Sequence, residues 1–451
     1  MHFDRIARHR IPGLWFVAVT FFYFTTAWVG GPASNWRGQT PEYYALLTDA
    51  FLAGQTSLLV QPPAELLALP NPYDPTRNGE YRLHDASLYR GKYYLYFGPT
   101  PALVLFLPFK VLTGSHLPSS VAVALFCTGG FACSCGLFFL LAKLEKWDIP
   151  AWFASAVVIS LGTAPGVVFL LAHPSFYEVA IAAGYCFVMA GFLLLAHSLG
   201  QDRPRVWSLA GAGLCFGLAV GCRPNYAPFT ILMVVLVTLR IRSPKTPALV
   251  YVGPLVLCGV LLSAYNYARF QNPFELGLRY QLFAKPSDPS DLVYRLNHSL
   301  ENLLPSLYNL VLSPPSEWLC WFHRSMGVLW GAPTALAGLC APLVLRHGGV
   351  KGAVKLGSTR FTIYCIYVSA LSILVVLALL DYPVGRYTVD FAPELVLLSW
   401  CLLAARWQNL HQLAKAWLVP FRFAVVGIAF YAAVLGIAMS VLLLHYNVLC
   451  P

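Results

Sequence analysis

Eleven stretches of this chain stay apolar for close to, or more than, the about 20 residues a helix needs to cross a bilayer, and no other feature restricts its fold as much. They fall at 11–30, 119–142, 151–172, 175–199, 206–222, 225–241, 247–267, 325–345, 361–380, 388–405 and 423–445. In hydrocarbon every backbone N–H and C=O must be satisfied within the protein, so runs of this length become helices. The chain is 58% hydrophobic and 11% charged, whereas a soluble domain carries about 25% charged residues. The expected fold class is an all-α polytopic membrane protein of about eleven transmembrane helices, with residues 1–451 as a single integral membrane domain. The first run, Ile11 to Gly30, follows Arg5, Arg8 and Arg10. It is long and aromatic, with no small-residue cleavage site close behind it, and reads as a retained span.

The charges orient these spans. With the N-terminus in the cytoplasm, the cytoplasmic segments hold Arg5, Arg8, Arg10, Lys143, Lys146, Arg203, Arg205, Arg240, Arg242, Lys245, Arg346, Lys351, Lys355, Arg360, Arg406, Lys415 and Arg422, seventeen of the thirty basic residues. Of nineteen carboxylates only four, Asp4, Glu145, Asp148 and Asp202, fall on that side. This is the positive-inside pattern, and it accounts for the net charge of +11 without nucleic acid as a partner. The run Pro99 to Leu112 is short, holds three prolines and ends beside Lys110. Counting it as a span would invert every later loop, so it is expected to lie in the outer interface. Two long extracytoplasmic regions then remain, 31–118 and 268–324, the second with a further interfacial helix near Leu300–Leu312. Most of the twelve cysteines sit inside apolar runs with no CxxC spacing, and are expected to pack rather than bridge.

The first outer region concentrates reactive groups. Glu42, Asp49, Asp74 and Asp85 occur there among Tyr, Pro and Arg. EYYALLTDAFLAGQTSL has helical spacing, with Tyr43, Leu46, Leu47, Ala50 and Phe51 as an apolar stripe and Gly54 as its end. Glu42 and Asp49 lie two turns apart near one face. After a proline-rich crossing, His84 and Asp85 precede an expected hairpin at Arg90-Gly91, followed by Lys92, Tyr93, Tyr94 and Tyr96. Other outer turns bring His173 and Glu178, Arg223, and Arg386-Tyr387 to the same side, and Arg279 stands in the second outer region. Asp390 and Glu394 fall one and two turns into the span 388–405. Ionisable groups at that depth are either functional or paired as a brace between helices.

These residue types suit one chemistry. Arginines at a membrane boundary can hold a lipid phosphate bidentately. A nearby carboxylate can take a proton from an acceptor hydroxyl. Fixed cations can stabilise the charge of a phosphate leaving group, which needs little protonation. The sum is glycosyl transfer from a lipid-phosphate sugar.

The chain also resembles the GT-C superfamily of membrane glycosyltransferases, near the polyprenyl-phosphate-sugar-dependent type that includes the protein mannosyltransferases and the aminoarabinose transferase of lipid A. Three segments carry the likeness: Pro41-Glu42-Tyr43-Tyr44 through Gly54, GKYYLYFGPTPALVLFLPF, and Arg386-Tyr387 with Pro393. The resemblance implies an inverting transferase that moves a sugar from a polyprenyl-phosphate donor to a glycan, lipid or protein acceptor. By resemblance Glu42 stands first as the base, Asp85 second and Asp49 third. Where the family commonly has Asp-Glu, this sequence has Pro41-Glu42, which leaves that order open. His84, Lys92, Tyr94, His173, Glu178, Arg223, Arg279, Arg386 and Tyr387 are the expected substrate contacts. His173 and Glu178 match the region where some relatives place metal or donor contacts. No cofactor is fixed by the residues, and Mg²⁺ or Mn²⁺ at carboxylates is compatible with them. The expected location is a bacterial inner membrane, multi-pass, with the active site extracytoplasmic and membrane lipids as neighbours. A transporter or flippase of a lipid-linked saccharide is the competing class. It would want mid-membrane polar groups and repeated halves, and no internal repeat is visible.

Overall fold

In the computed structural model the described residues are 2–34, 42–163, 166–201, 204–241, 245–282, 300–314, 327–341, 357–380, 384–413 and 415–449. Among them, seven helices are long and apolar enough to cross a membrane, and three further apolar helices are shorter, Ala102–Thr113, Ala151–Gly162 and Val206–Cys222. The long apolar runs became helices, as hydrocarbon requires. In chain order the main helices are α1 (His2–Ser34), α2 (Tyr43–Leu52), α3 (Ala102–Thr113), α4 (Ser119–Leu144), α5 (Ala151–Gly162), α6 (Val167–Ala172), α7 (Phe176–Leu199), α8 (Val206–Cys222), α9 (Ala227–Ile241), α10 (Lys245–Phe270), α11 (Ser358–Ala378), α12 (Ala392–Leu413) and α13 (Leu418–Leu449). Helix α7 packs between α4 and α8, and α8 in turn against α10. Helix α1 lies against α4, α5 and α6, with α13 beside the last two. Small residues allow these approaches: Gly184 leaves room for the Tyr226 ring, and Gly191 for Phe216.

Three expected spans are not single helices. The run 151–172 is broken into α5 and α6, and Gly166 starts α6 with φ +90°, where a side chain would collide with Thr388 and Val389. The break thus makes room for a segment that approaches from another part of the chain. In the described part of 325–345 there are two short helices, Val328–Gly331 and Ala335–Leu339, because Pro333 interrupts the ladder. The run 388–405 begins as a 3₁₀ turn, Gly385–Asp390, and turns α-helical only at Ala392, with Pro393 in its first turn. Asp390 therefore sits before the helix and Glu394 in its first turn, rather than one and two turns inside.

The local signals within 42–118 hold. Helix α2 starts after Glu42, and Gly54 follows its end at φ +73°. Strands β1 (Ser87–Tyr89) and β2 (Lys92–Tyr94) pair antiparallel, and Arg90 and Gly91 both take positive φ, as a tight two-residue turn demands. Helix α3 spans about 18 Å at 1.5 Å per residue, short of the ~30 Å hydrocarbon thickness. It buries Ala102 and Phe106 and exposes Leu103, Val104, Val111 and Leu112. The helical stretch 300–312 also stands where the sequence places it.

The described part of 268–324 is stitched to the segment 42–118. Asp85 donates its backbone N–H to Leu282 O at 3.0 Å, Leu282 returns one to Ala86 O at 2.9 Å, and Ser87 Oγ donates to Gly277 O at 2.8 Å. Residues 283–299 and 315–326, with Lys285, Asp288, Asp291 and Arg295, lie outside the described residues, as do Asp381 and the basic residues Arg203, Arg242, Arg346, Lys351 and Lys355.

Candidate active site

The site begins with a helix start. Ser175 caps α7, and Glu178 reaches back to the Ser175 N–H at 3.1 Å and to its hydroxyl, a reciprocal capping box. Those contacts use Glu178 Oε2. Oε1 accepts from Arg386 Nη1 at 3.1 Å, so one buried carboxylate both caps a helix and fixes a guanidinium from the segment before α12. Between these two residues of the box lies Tyr177. Its ring sits under the Arg386 guanidinium, 4.5 Å from carbon to centroid, and its hydroxyl donates to Asp85 Oδ2.

Asp85 is 2% exposed and has φ +63°, a conformation that Asp tolerates better than most residues. The backbone is held there by the Leu282 pairing. Its Oδ1 lies 3.7 Å from His84 Nε2 and has no hydrogen-bond partner among the described residues. Burial pushes the Asp85 carboxyl above its ordinary value, against the opposite pull of His84, Arg386, Gln281 and Arg82. His84 is partly exposed, and its carbonyl accepts from the Tyr43 hydroxyl, which ties α2 to the same corner.

A second ion pair stands beside the first. Arg223, at the end of α8, pairs with Asp390. Asp390 also accepts from Asn225 Nδ2 at 3.0 Å and from the Tyr226 hydroxyl at 2.5 Å, and both of its oxygens are engaged. Tyr387 lies between the two arginines, its centroid 4.8 Å from Arg223 and 5.9 Å from Arg386. Arg223 Nη1 donates to a carboxylate that Asn225 and Tyr226 also hold, whereas Arg386 Nε is buried with no acceptor among the described residues. His173, just past α6, is pushed down to about 4 by burial first and by Arg386 second, so it is a neutral imidazole at physiological pH. It bonds the backbone of Leu443.

The other candidates are placed as follows. Glu42 stands at the N-cap position of α2 without a side-chain capping bond, and its carboxylate accepts from the Ser119 hydroxyl at the start of α4. Asp49, on the same face of α2, takes His116 Nε2 at 2.9 Å with Lys110 at 3.9 Å. These two acids therefore join α2 to the turn between α3 and α4. Lys92 is exposed on the hairpin, opposite Tyr89. Tyr94 is buried with its ring 5.3 Å from Phe270 at the end of α10. Arg279 pairs with Glu275 at 3.7 Å. So Asp85, His84, Glu178, Arg386, Tyr387 and Arg223 converge through hydrogen bonds, ion pairs and ring contacts, while Asp49, Lys92, Tyr94 and Arg279 are placed elsewhere. Three participants were not among the expected contacts: Tyr177, Asn225 and Tyr226. For Tyr177 a signal existed, since Ser175-Phe-Tyr-Glu178 is a capping-box pattern that fixes the residue between cap and acid.

Among the described residues no three His, Cys, Asp or Glu side chains gather as metal ligands. A guanidinium also lies against Glu178 and acts on Asp85, which does not fit a divalent ion bridging those carboxylates.

No family model matches the sequence, and no curated protein matches it. Solved structures do. ArnT from Cupriavidus metallidurans bound to undecaprenyl phosphate matches with a TM-score of 0.51 at 13% identity, over 96% of this chain and 77% of that one. The chain shares the fold of that structure. The same protein in the apo state gives a TM-score of 0.45 at 14% identity, over 96% of this chain and 77% of that one. The apo oligosaccharyltransferase of Archaeoglobus fulgidus gives 0.47 at 14% identity, over 94% of this chain and 56% of that one. At such identities the likeness concerns the path of the backbone, and the chemistry must be argued from this chain's own side chains.

Proposed function

We propose that this protein is a membrane glycosyltransferase that moves a sugar from a polyprenyl-phosphate donor to an acceptor hydroxyl, with inversion, at the extracytoplasmic face. The observation that carries the reading is the Asp85–Tyr177–Arg386 arrangement: a buried carboxylate with one oxygen uncommitted, one aromatic ring away from a guanidinium with a donor uncommitted. The GT-C-like fold, and undecaprenyl phosphate bound by the ArnT neighbour, support a lipid-linked donor. The charge asymmetry of the loops supports the outward orientation.

In this mechanism the acceptor oxygen attacks the anomeric carbon and forms the new C–O bond. The bond from that carbon to the phosphate oxygen breaks, and its electron pair leaves with the polyprenyl phosphate. Asp85 Oδ1 takes the acceptor proton. Its raised affinity for that proton makes it a stronger base than an exposed aspartate, provided the site is above its pKa. Arg386 stabilises the growing phosphate charge, and Glu178 holds Arg386 in place. Arg223 is assigned to bracing, since its Nη1 is held by Asp390, which Asn225 and Tyr226 fix in turn. Glu42 and Asp49 are assigned to seating α2.

The test uses purified protein in detergent with a panel of undecaprenyl-phosphate-linked hexoses and pentoses. Detergent removes the sealed compartments that a flippase needs, so transfer there separates the two classes. Asp85→Asn keeps the shape and tolerates the left-handed backbone, and is expected to lower transfer on the order of a hundredfold or more while undecaprenyl phosphate still binds. Full transfer by that variant, with loss in Glu42→Gln, would move the base to Glu42.

A further inference from the structure

Tyr177 is not simply a wall of the site. Its hydroxyl is spent on Asp85 Oδ2, and its ring is spent on Arg386, 4.5 Å away. Its backbone is fixed by the Ser175 cap, whose Oγ accepts the Tyr177 N–H at 3.4 Å. Its ring is further clamped by Phe176, at 3.9 Å between centroids, and by an edge-on Phe97 at 6.0 Å. A side chain so restrained has little freedom to leave either partner. The two partners come from distant stretches, the loop before β1 and the turn before α12.

We propose that Tyr177 is a positioning residue that sets both halves of the reaction at once: the hydroxyl orients the Asp85 carboxylate so that Oδ1 points to the acceptor, and the ring holds the Arg386 guanidinium for the donor phosphate. The inference rests on the assignment of Asp85 and Arg386 above. It deepens that assignment by tying acceptor activation and phosphate binding to one residue.

The two roles can be separated by substitution. Tyr177→Phe keeps the ring and removes the hydroxyl. A donated hydrogen bond stabilises a carboxylate's charged form, so its loss leaves Asp85 harder to deprotonate. Besides Tyr177, the groups that face this carboxylate are His84 and Arg82 of its own loop, Arg386, Tyr43 of α2 and Tyr96 after the hairpin. All of them are retained in the variant, so a shift of the pH profile reports the lost hydroxyl. Tyr177→Leu removes the ring as well, and with it the face under Arg386.

The experiment measures transfer from an undecaprenyl-phosphate-linked sugar against pH and donor concentration, for wild type, Tyr177→Phe, Tyr177→Leu and Asp85→Asn. For Tyr177→Phe the acidic limb of kcat should move to higher pH by about one unit, with the donor KM unchanged. Tyr177→Leu should add a rise in donor KM of about threefold to thirtyfold. If the leucine variant does not fold, the phenylalanine profile alone decides, with its melting temperature as the folding control. A Tyr177→Phe profile that superimposes on wild type while Asp85→Asn is inactive overturns the inference and leaves the base assignment standing. An active Asp85→Asn removes the base assignment itself, and the inference with it.

Discussion

Arg223 and Asp390 offer the sharpest energetic test of how this bundle is held together. Asp390 is 3% exposed and Arg223 is 7% exposed, so both charges were taken out of water when the chain folded. Three donors converge on Asp390, from Arg223, Asn225 and Tyr226. Replacing Asp390 by Asn keeps the volume but removes the charge, and turns an amide toward a buried guanidinium. Removing one partner of such a pair typically costs 3–5 kcal/mol, and the upper part of that range is expected, about 4–5 kcal/mol, because among the described residues no second carboxylate contacts Arg223. Arg223→Met should cost less, about 3 kcal/mol, because Asp390 keeps the Asn225 and Tyr226 donors and can take a proton. The double variant Arg223→Met with Asp390→Asn leaves neither member of this pair charged, so its cost should fall short of the sum of the singles by about 1.5 kcal/mol or more. Unfolding by increasing SDS fraction in mixed micelles gives all four stabilities. The same proteins should be assayed for transfer at a temperature where each is folded. A pair that only braces predicts that the double variant transfers sugar close to the wild-type rate. Additive single effects, or a cost of under about 1 kcal/mol for Asp390→Asn, would refute the buried-pair account. A stable but inactive double variant would return Arg223 to the substrate.

Further outcomes are expected. In Gly98→Ala the new methyl would meet the Gly221 carbonyl, so the YFGPT segment must lift from the end of α8; a loss of about 1–3 kcal/mol is expected in the same SDS titration. Asp49→Asn removes a partly exposed ion pair with His116, so stability should change by less than about 1 kcal/mol and transfer should persist, as an activity assay will reveal. The folded-state pKa of Asp85 is raised, so its contribution to stability is greatest at acid pH and is lost as pH rises through that pKa. Asp85→Asn should therefore be the more stable protein at neutral pH, an advantage that fades on acidification, measured as melting temperature against pH. Transfer by wild type should run the other way and fall as Asp85 takes up its proton.

Short-range features of the site region were legible in advance. The α2 stripe ending at Gly54 and the hairpin at Arg90-Gly91 follow from neighbouring residues alone, because side-chain periodicity and left-handed turn positions are local properties. The helical breaks were less visible. Gly166 reads as one small residue in an apolar run, and only the arrival of Thr388 and Val389 explains why it must be one. The order of the acids could not be read at all. Glu42, Asp49 and Asp85 share one loop and similar flanks, yet one bonds Ser119, one bonds His116, and one is buried against Tyr177.

What the sequence by itself determined is that this chain lives in a bilayer as helices. Transfer into hydrocarbon is decided run by run, so it can be summed along the chain. What only the tertiary structure decided is which charge meets which. Arg223 and Asp390 are separated by 167 positions, Tyr177 and Asp85 by 92, and Arg386 and Glu178 by 208. Pairing energy depends on ångström distances in a medium of low dielectric, and those distances are set by how the helices pack, not by the order in which the residues were joined.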